Sequence, residues 1–250
     1  MSYFLVKTTN GKLNIKGVVD PNSIATPIIY YTFDAGTVSG NNVLNNVNST
    51  YDASINFGTA SSITTTSPSP LNNGYLSLDG TCNVINNSVT LNTTGFSIAF
   101  WLKFATNTNG NSMVFCLGNS GLNPAAPFIL FRNYFPTGDQ CLSLYYGLNN
   151  NAYSIANING NSSTWWDNIW RHIVLTFTNG TFTFYVNGSQ IFTSAFNYGF
   201  NTTPVPLTIG MLGNDSTRSI KGGIDDFRIY NKILTTNQIS YLYNKTSTGI

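Results

Sequence analysis

Apolar and polar residues alternate along most of this chain with a period of two, the signature of strands that bury one face. The clearest run is residues 96–104, where Phe96, Ile98, Phe100, Leu102 and Phe104 share one face and Ser97, Ala99, Trp101 and Lys103 share the other. A second block runs from Trp170 to Thr178, turns at Asn179-Gly180, continues from Thr181 to Val186, turns at Asn187-Gly188 and returns through Ser189 to Thr193. Asn-Gly between alternating runs marks a tight hairpin, because both central residues of the favoured turn need positive φ. The block therefore predicts a three-stranded meander, with Phe182, Phe184 and Val186 on one face of its middle strand.

Shorter strands are predicted at 28–33, 53–57, 75–78, 88–91, 113–117, 128–131, 142–146, 152–155, 207–209 and 224–230. Many short strands separated by Asn, Gly and Pro clusters predict an all-β, two-sheet antiparallel sandwich. One short C-terminal helix is expected near 236–243 on the sandwich edge. Thr235 and Gln238 have capping-box spacing before it, and Ile239, Leu242 and Tyr243 fall on one helical face. Residues 1–27 read as an N-terminal arm and linker, with a small strand pair around Phe4-Leu5-Val6 and Leu13-Asn14-Ile15; residues 28–250 form the main domain.

Composition narrows the function. Only 8% of the 250 residues are charged, the net charge is +2, and no basic cluster could gather phosphates, so nucleic acid is not an expected partner. No apolar run approaches the ~20 residues of a membrane-spanning helix. All nine acids are Asp, Glu is absent, and His172 is the single histidine. Bulk polarity comes instead from Ser, Thr and 36 Asn. The odd cysteine count, Cys82, Cys116 and Cys141, predicts core thiols rather than a disulfide framework. The nine Asn-X-Ser/Thr sequons follow from that composition and are expected to be unused. The opening Met-Ser-Tyr-Phe-Leu-Val-Lys has no basic segment and only a short apolar stretch, which predicts synthesis in a cytosol.

Six segments, in order, carry a resemblance over about residues 28–244: Tyr30-Tyr31-Thr32-Phe33-Asp34, Tyr51-Asp52-Ala53-Ser54-Ile55, Leu76-Ser77-Leu78-Asp79-Gly80, the strand from Phe96 to Lys103, Trp170-Arg171-His172-Ile173-Val174 with Phe184-Tyr185-Val186-Asn187-Gly188, and Gly223-Ile224-Asp225-Asp226-Phe227-Arg228-Ile229-Tyr230. The chain resembles the laminin G-like jelly rolls of the concanavalin A-like lectin and glucanase superfamily. The resemblance implies a jelly-roll sandwich of one convex and one concave sheet, with a binding site carried by loops at one rim. It also implies a structural calcium ion near Asp34 and Asp225, where Asn45 stands in a loop that often supplies another Asp. The alternative for those residues is that Asp34 caps a turn and Asp225 ties strands together. No other cofactor is implied.

Glucanases of that superfamily carry Glu, Asp and Glu at alternate strand positions, a set this chain cannot assemble without Glu, and so no enzyme activity is expected. Asp225 and Asp226 are neighbours, which a regular strand would point to opposite faces. His172 is expected to be a packed sheet residue. Glycan binding asks for aromatic platforms with amides and hydroxyls. The loop 159–168 offers Trp165, Trp166, Asp167 and Asn168, with Tyr134 and Tyr198 as second choices. The two Trp are either a platform or a lid packed on the core. The function expected is a non-enzymatic module that binds glycans or neighbouring structural proteins at a virion surface, with a second copy of the chain as a further partner. A cellular, extracellular carbohydrate-binding lectin is the alternative, and a degenerate glucanase stands behind it.

Overall fold

The structure, a computed structural model, describes residues 24–56, 62–64, 74–92, 94–106, 112–118, 128–134, 141–148, 152–157, 165, 167–195, 204–212 and 215–247. They form two sheets packed face to face, a jelly-roll sandwich, with antiparallel pairing apart from one parallel bridge between Ser219 and Met113. The first sheet has the spatial order Ser189–Ala195, Thr181–Val186, Arg171–Thr178, Gly95–Phe104, Lys221–Tyr230, Tyr75–Asp79 and Ser62–Thr64, and Ile29–Tyr31 also pairs with Lys221–Tyr230. The second runs Ala152–Asn157, Cys141–Leu148, Phe128–Tyr134, Met113–Leu117, Val205–Ile209, Asn83–Val89, Ala53–Asn56, Asn42–Val43 and Val38–Ser39, with Met211–Leu212 and Asp215–Ser219 attached beside it.

The meander forms as the Asn-Gly pairs require. Asn179 and Gly180 take φ of 44° and 75°, and Asn187 and Gly188 take 48° and 79°, so each turn is left-handed at both central residues. The core lies between the sheets, where Phe100 meets Phe115 edge-on at 5.7 Å and stacks on Phe227 at 5.5 Å. Cys82 and Cys116 are buried thiols outside any disulfide, and burial pushes the Cys116 thiol up to about 12.

All ten residues of Gly95–Phe104 are buried, although alternation suggested a single covered face. The helix Thr236–Ser247 explains part of this. It lies on the outer face of the first sheet rather than at its edge, where Ile239, Leu242 and Leu234 cluster with Ala99, Val174, Tyr185 and Tyr230. Its start is held by a reciprocal capping box: the Thr235 amide donates to Gln238 Oε1 at 2.9 Å and the Gln238 amide to Thr235 Oγ1 at 3.3 Å. Ser97 Oγ accepts from the Leu234 amide and donates to the Lys232 carbonyl, each at 2.9 Å, tying the approach to the sheet. Ile24 and Ala25, the described end of the preceding segment, pack on the same cluster. The strand pair expected within residues 1–16 lies outside the described residues.

The strand expected at 88–91 is instead Asn83–Val89, because Asn83 and Asn86 are buried inside a sheet despite their polarity. Asn86 Nδ2, for one, donates to the Asp52 carbonyl at 3.0 Å. Among the described residues no helix is long and apolar enough to cross a membrane.

Candidate functional site

The helix covers one end of the first sheet's outer face. At the other end, Tyr75, Ser77 and Asp79 stand at alternate positions on one strand, Lys221 and Gly223 lie opposite Asp79 and Ser77 on the next, and Lys103 lies opposite Gly223 on the third. Period-two alternation puts all six on one face. Gly223 is the floor. A Cβ there would lie 2.8 Å from Trp170 Cη2 and 2.9 Å from Tyr75 Cδ2, so only glycine lets the two rings close over the strand. The rings meet edge-to-face, 5.1 Å apart at 81°.

Lys103 inserts its ammonium into this pair. Nζ donates to the Tyr75 phenol oxygen at 3.1 Å, and lies 4.2 Å from the centre of the Tyr75 ring and 4.9 Å from that of Trp170. Above it opens a groove of about 450 Å³, lined chiefly by Tyr75, Ser77, Asp79, Lys103, Asn168 and Lys221. Its groups are a hydroxyl, a carboxylate, an amide, two ammonium groups and an aromatic side chain. That mixture of hydrogen-bonding groups with some apolar surface suits a ligand dense in hydroxyls.

Asn168 reaches the groove because the turn before the strand Arg171–Thr178 is pinned at several points. Arg171 grips Asp167 with both nitrogens, Nη1 to Oδ1 at 2.9 Å and Nη2 to Oδ2 at 2.6 Å, which holds the Asp167 carboxyl below the usual range. The Ile169 amide donates to Asp167 Oδ1 at 3.0 Å, and the Asn168 amide donates to the Phe104 carbonyl at 3.0 Å with Asn168 at φ 60°. Trp165 is not a surface platform. It is only 9% exposed and belongs to the core cluster, with Arg171 lying 4.8 Å above its ring. A large ring in a polar loop gains more by covering the core than by facing water. Trp166 and Tyr198 lie outside the described residues, and Tyr134 ends a strand of the opposite sheet, paired with Cys141. Of the glycan-binding residues expected from the sequence, the structure brings Asn168 to the groove, with Asp167 positioning it.

The residues tied to calcium are divided. Asp34 Oδ1 and both carboxylate oxygens of Asp225 are buried without a hydrogen-bond partner. Burial, then the nearby charges of Asp226 and Asp34, push the Asp225 carboxyl up to about 9. Two carboxylates with unpartnered oxygens fit a hard cation. Asn45 does not join them: its Oδ1 accepts from the Tyr30 amide at 2.7 Å and its Nδ2 donates to the Ile28 carbonyl at 3.2 Å, stitching the loop to the first strand. Asp226 does not follow the regular alternation. A bulge between Asp225 and Arg228 puts Asp226 at φ 54°, where it pairs with Arg228 at 2.7 Å. Among the described residues no group of three His, Cys or Asp side chains gathers as a metal site.

His172 is a packed side chain, 2% exposed, against the Trp101 ring at 5.2 Å and that of Tyr243 at 6.1 Å. Burial lowers its pKa to about 3, so it stays neutral. Sequence reasoning missed Tyr75, Lys103, Lys221 and Asp79 as site residues. Their signal was present in the alternation, which set Lys103 on the face away from the Phe stripe, but nothing in one strand tells which strands lie beside it.

A family model for the concanavalin A-like lectin/glucanases superfamily matches residues 73–240. No curated protein matches the chain in sequence. Among solved structures, domain 4 of AbnA, a GH43 extracellular arabinanase from Geobacillus stearothermophilus, in complex with arabinotriose, is similar with a TM-score of 0.64 at 18% identity, over 88% of this chain and 98% of that one. The binding domain of Paraclostridial Mosquitocidal Protein 1 is similar at 0.60 and 16% identity, over 88% of this chain and 52% of that one. The binding domain of Botulinum Neurotoxin DC in complex with SialylT gives 0.59 and 18%, over 90% of this chain and 52% of that one. The chain thus spans about half the length of the two toxin binding domains.

Proposed function

Because this chain belongs to the concanavalin A-like lectin/glucanases superfamily, we propose that it is a non-enzymatic glycan-binding module holding its ligand in the groove between Tyr75, Asp79, Lys103, Asn168 and Lys221. The observation that carries this reading is the groove itself, in which hydrogen-bonding groups from three strands and one pinned turn converge around an aromatic pair. Support comes from the similar fold of a domain captured with arabinotriose and of a toxin binding domain captured with SialylT. The groove is suited to holding rather than cutting. Glycoside hydrolysis calls for two carboxyl groups across the scissile bond, and Asp79 is the single acid among the lining residues.

A cation of calcium's chemistry would be held by Asp34 and Asp225 and would neutralise two carboxylates away from the groove's lining. Its role would be structural. The charge-poor, asparagine-rich composition supports a virion surface as the location, and mass spectrometry of purified particles tests that placement.

A glycan array with the Asn168→Gly variant tests the groove. Glycine accepts the left-handed backbone that Asn168 adopts, so the turn survives while the amide is lost. Binding should weaken by roughly tenfold, the worth of one or two ligand hydrogen bonds. Unchanged binding by a folded variant would move the site elsewhere.

A further inference from the structure

Lys103 is only 7% exposed, yet among the described residues its ammonium pairs with no carboxylate. Its partners are one phenol oxygen and two ring faces. A cation withdrawn from water is costly unless matched by opposite charge, and ring quadrupoles match it only in part. Replacing it by an apolar residue of similar length would be the simpler way to fill a structural position. Lys221 brings a second ammonium to the same groove, against the one carboxylate of Asp79. Asp79 Oδ1 accepts from the Thr81 amide at 2.8 Å and from the Thr81 hydroxyl at 2.7 Å, two neutral donors that orient the carboxylate and leave its single negative charge in place.

We infer that the groove selects acidic glycans, with the fixed anion of a sugar ring, a carboxylate or a sulfate, seated on the Lys103 ammonium. This rests on the glycan reading of the groove and adds the charge of the ligand. The Tyr75 and Trp170 rings hold the ammonium in place before the ligand arrives, so little side-chain freedom is lost on binding. Asn168 and Ser77 are left to meet the sugar hydroxyls. Lys221, on the groove wall, adds long-range attraction that salt would screen, whereas the sheltered Lys103 contact is screened much less.

The test uses the intact chain with three sets of immobilised oligosaccharides: uronate-containing, sialylated and sulfated, each beside its neutral counterpart. For the two carboxylate sets the counterpart is the methyl ester, which keeps the sugar and removes the charge. The acids should bind roughly 10- to 100-fold more tightly than the esters, the worth of a charge-assisted hydrogen bond. Which set is retained distinguishes a carboxylate from a sulfate. Lys103→Met should abolish the difference between acid and ester. Equal binding of every charged sugar and its neutral counterpart by the unmodified protein overturns the charge assignment and leaves the glycan reading standing. Binding to none of the sugars, acidic or neutral, overturns both. The ester comparison needs no variant, so a Lys103→Met protein that fails to fold does not block the decision.

Discussion

Lys103 and Tyr75 stand 28 residues apart in sequence and form one unit, the ammonium donating to the phenol oxygen at 3.1 Å while lying 4.2 Å from the centre of the same ring. The unit exists because Gly223, between them in the sheet, leaves the space above its Cα for the Tyr75 and Trp170 rings. Gly223→Ala should therefore cost about 1–3 kcal/mol and displace both rings. Thermal unfolding would show the first effect and loss of glycan retention the second. A variant as stable and as active as the parent would mean that the rings do not shape the groove.

Trp165→Ala separates core from groove. A ring buried at 9% exposure should cost about 3–5 kcal/mol when removed. Glycan affinity, measured at a temperature where the variant is folded, should fall less than in Asn168→Gly, since Trp165 is not among the groove's lining residues and reaches it only through Arg171 and Asp167. Loss of binding with stability intact would restore Trp165 as a sugar platform.

Acid should destabilise the fold through His172. Its folded pKa, about 3, lies below the ordinary 6.5. Between those values the unfolded chain takes up a proton that the folded chain refuses, so His172 lowers stability as pH falls through that window, by about 1.4 kcal/mol per pH unit. Above the ordinary value neither state carries the proton and the effect vanishes. Because His172 is the single histidine, its imidazole NMR signal is unambiguous. The folded protein should show no titration between about pH 8 and 5. A midpoint near the ordinary value would show the ring to be solvated.

Chelation tests the carboxylates. If calcium joins Asp34 and Asp225, its removal should lower Tm by about 5–10 °C from a state with calcium a hundredfold above its Kd. Asp225→Asn should abolish the difference. With no shift on chelation, the buried Asp225 carboxyl, pushed up to about 9, is held as a neutral acid instead.

The period-two pattern was enough to read the sandwich, the two Asn-Gly hairpins and the capped helix, because each depends on neighbours close in sequence. Several short strands were not legible. Val38–Ser39 and Asn42–Val43 are two residues each, and Asp215–Ser219 carries no apolar alternation. The helix position was missed for a different reason. Ala99, Val174 and Tyr230 look like an ordinary second face in their own strands, and become an apolar patch only when the sheet order places them together. The groove shows the same limit more sharply. Lys103, Gly223 and Ser77 occupy adjacent positions across three strands whose sequence separation exceeds a hundred residues at its widest, and pairwise register is not written in any one of them. Asn168 could be singled out because loop polarity is local. Trp165 could not be assigned, since burial of an aromatic in a loop is decided by what lies beneath it.

The most direct measurement is a heteronuclear NMR titration of the isotope-labelled chain with an oligosaccharide retained on the array. Shift changes should centre on the amides of residues 75–79, 103–105, 168 and 221–222, the rim and floor of the groove on the outer face of the first sheet. Changes confined to the opposite sheet or to the turns of the meander, with that groove silent, would contradict the assignment of this groove as the glycan site.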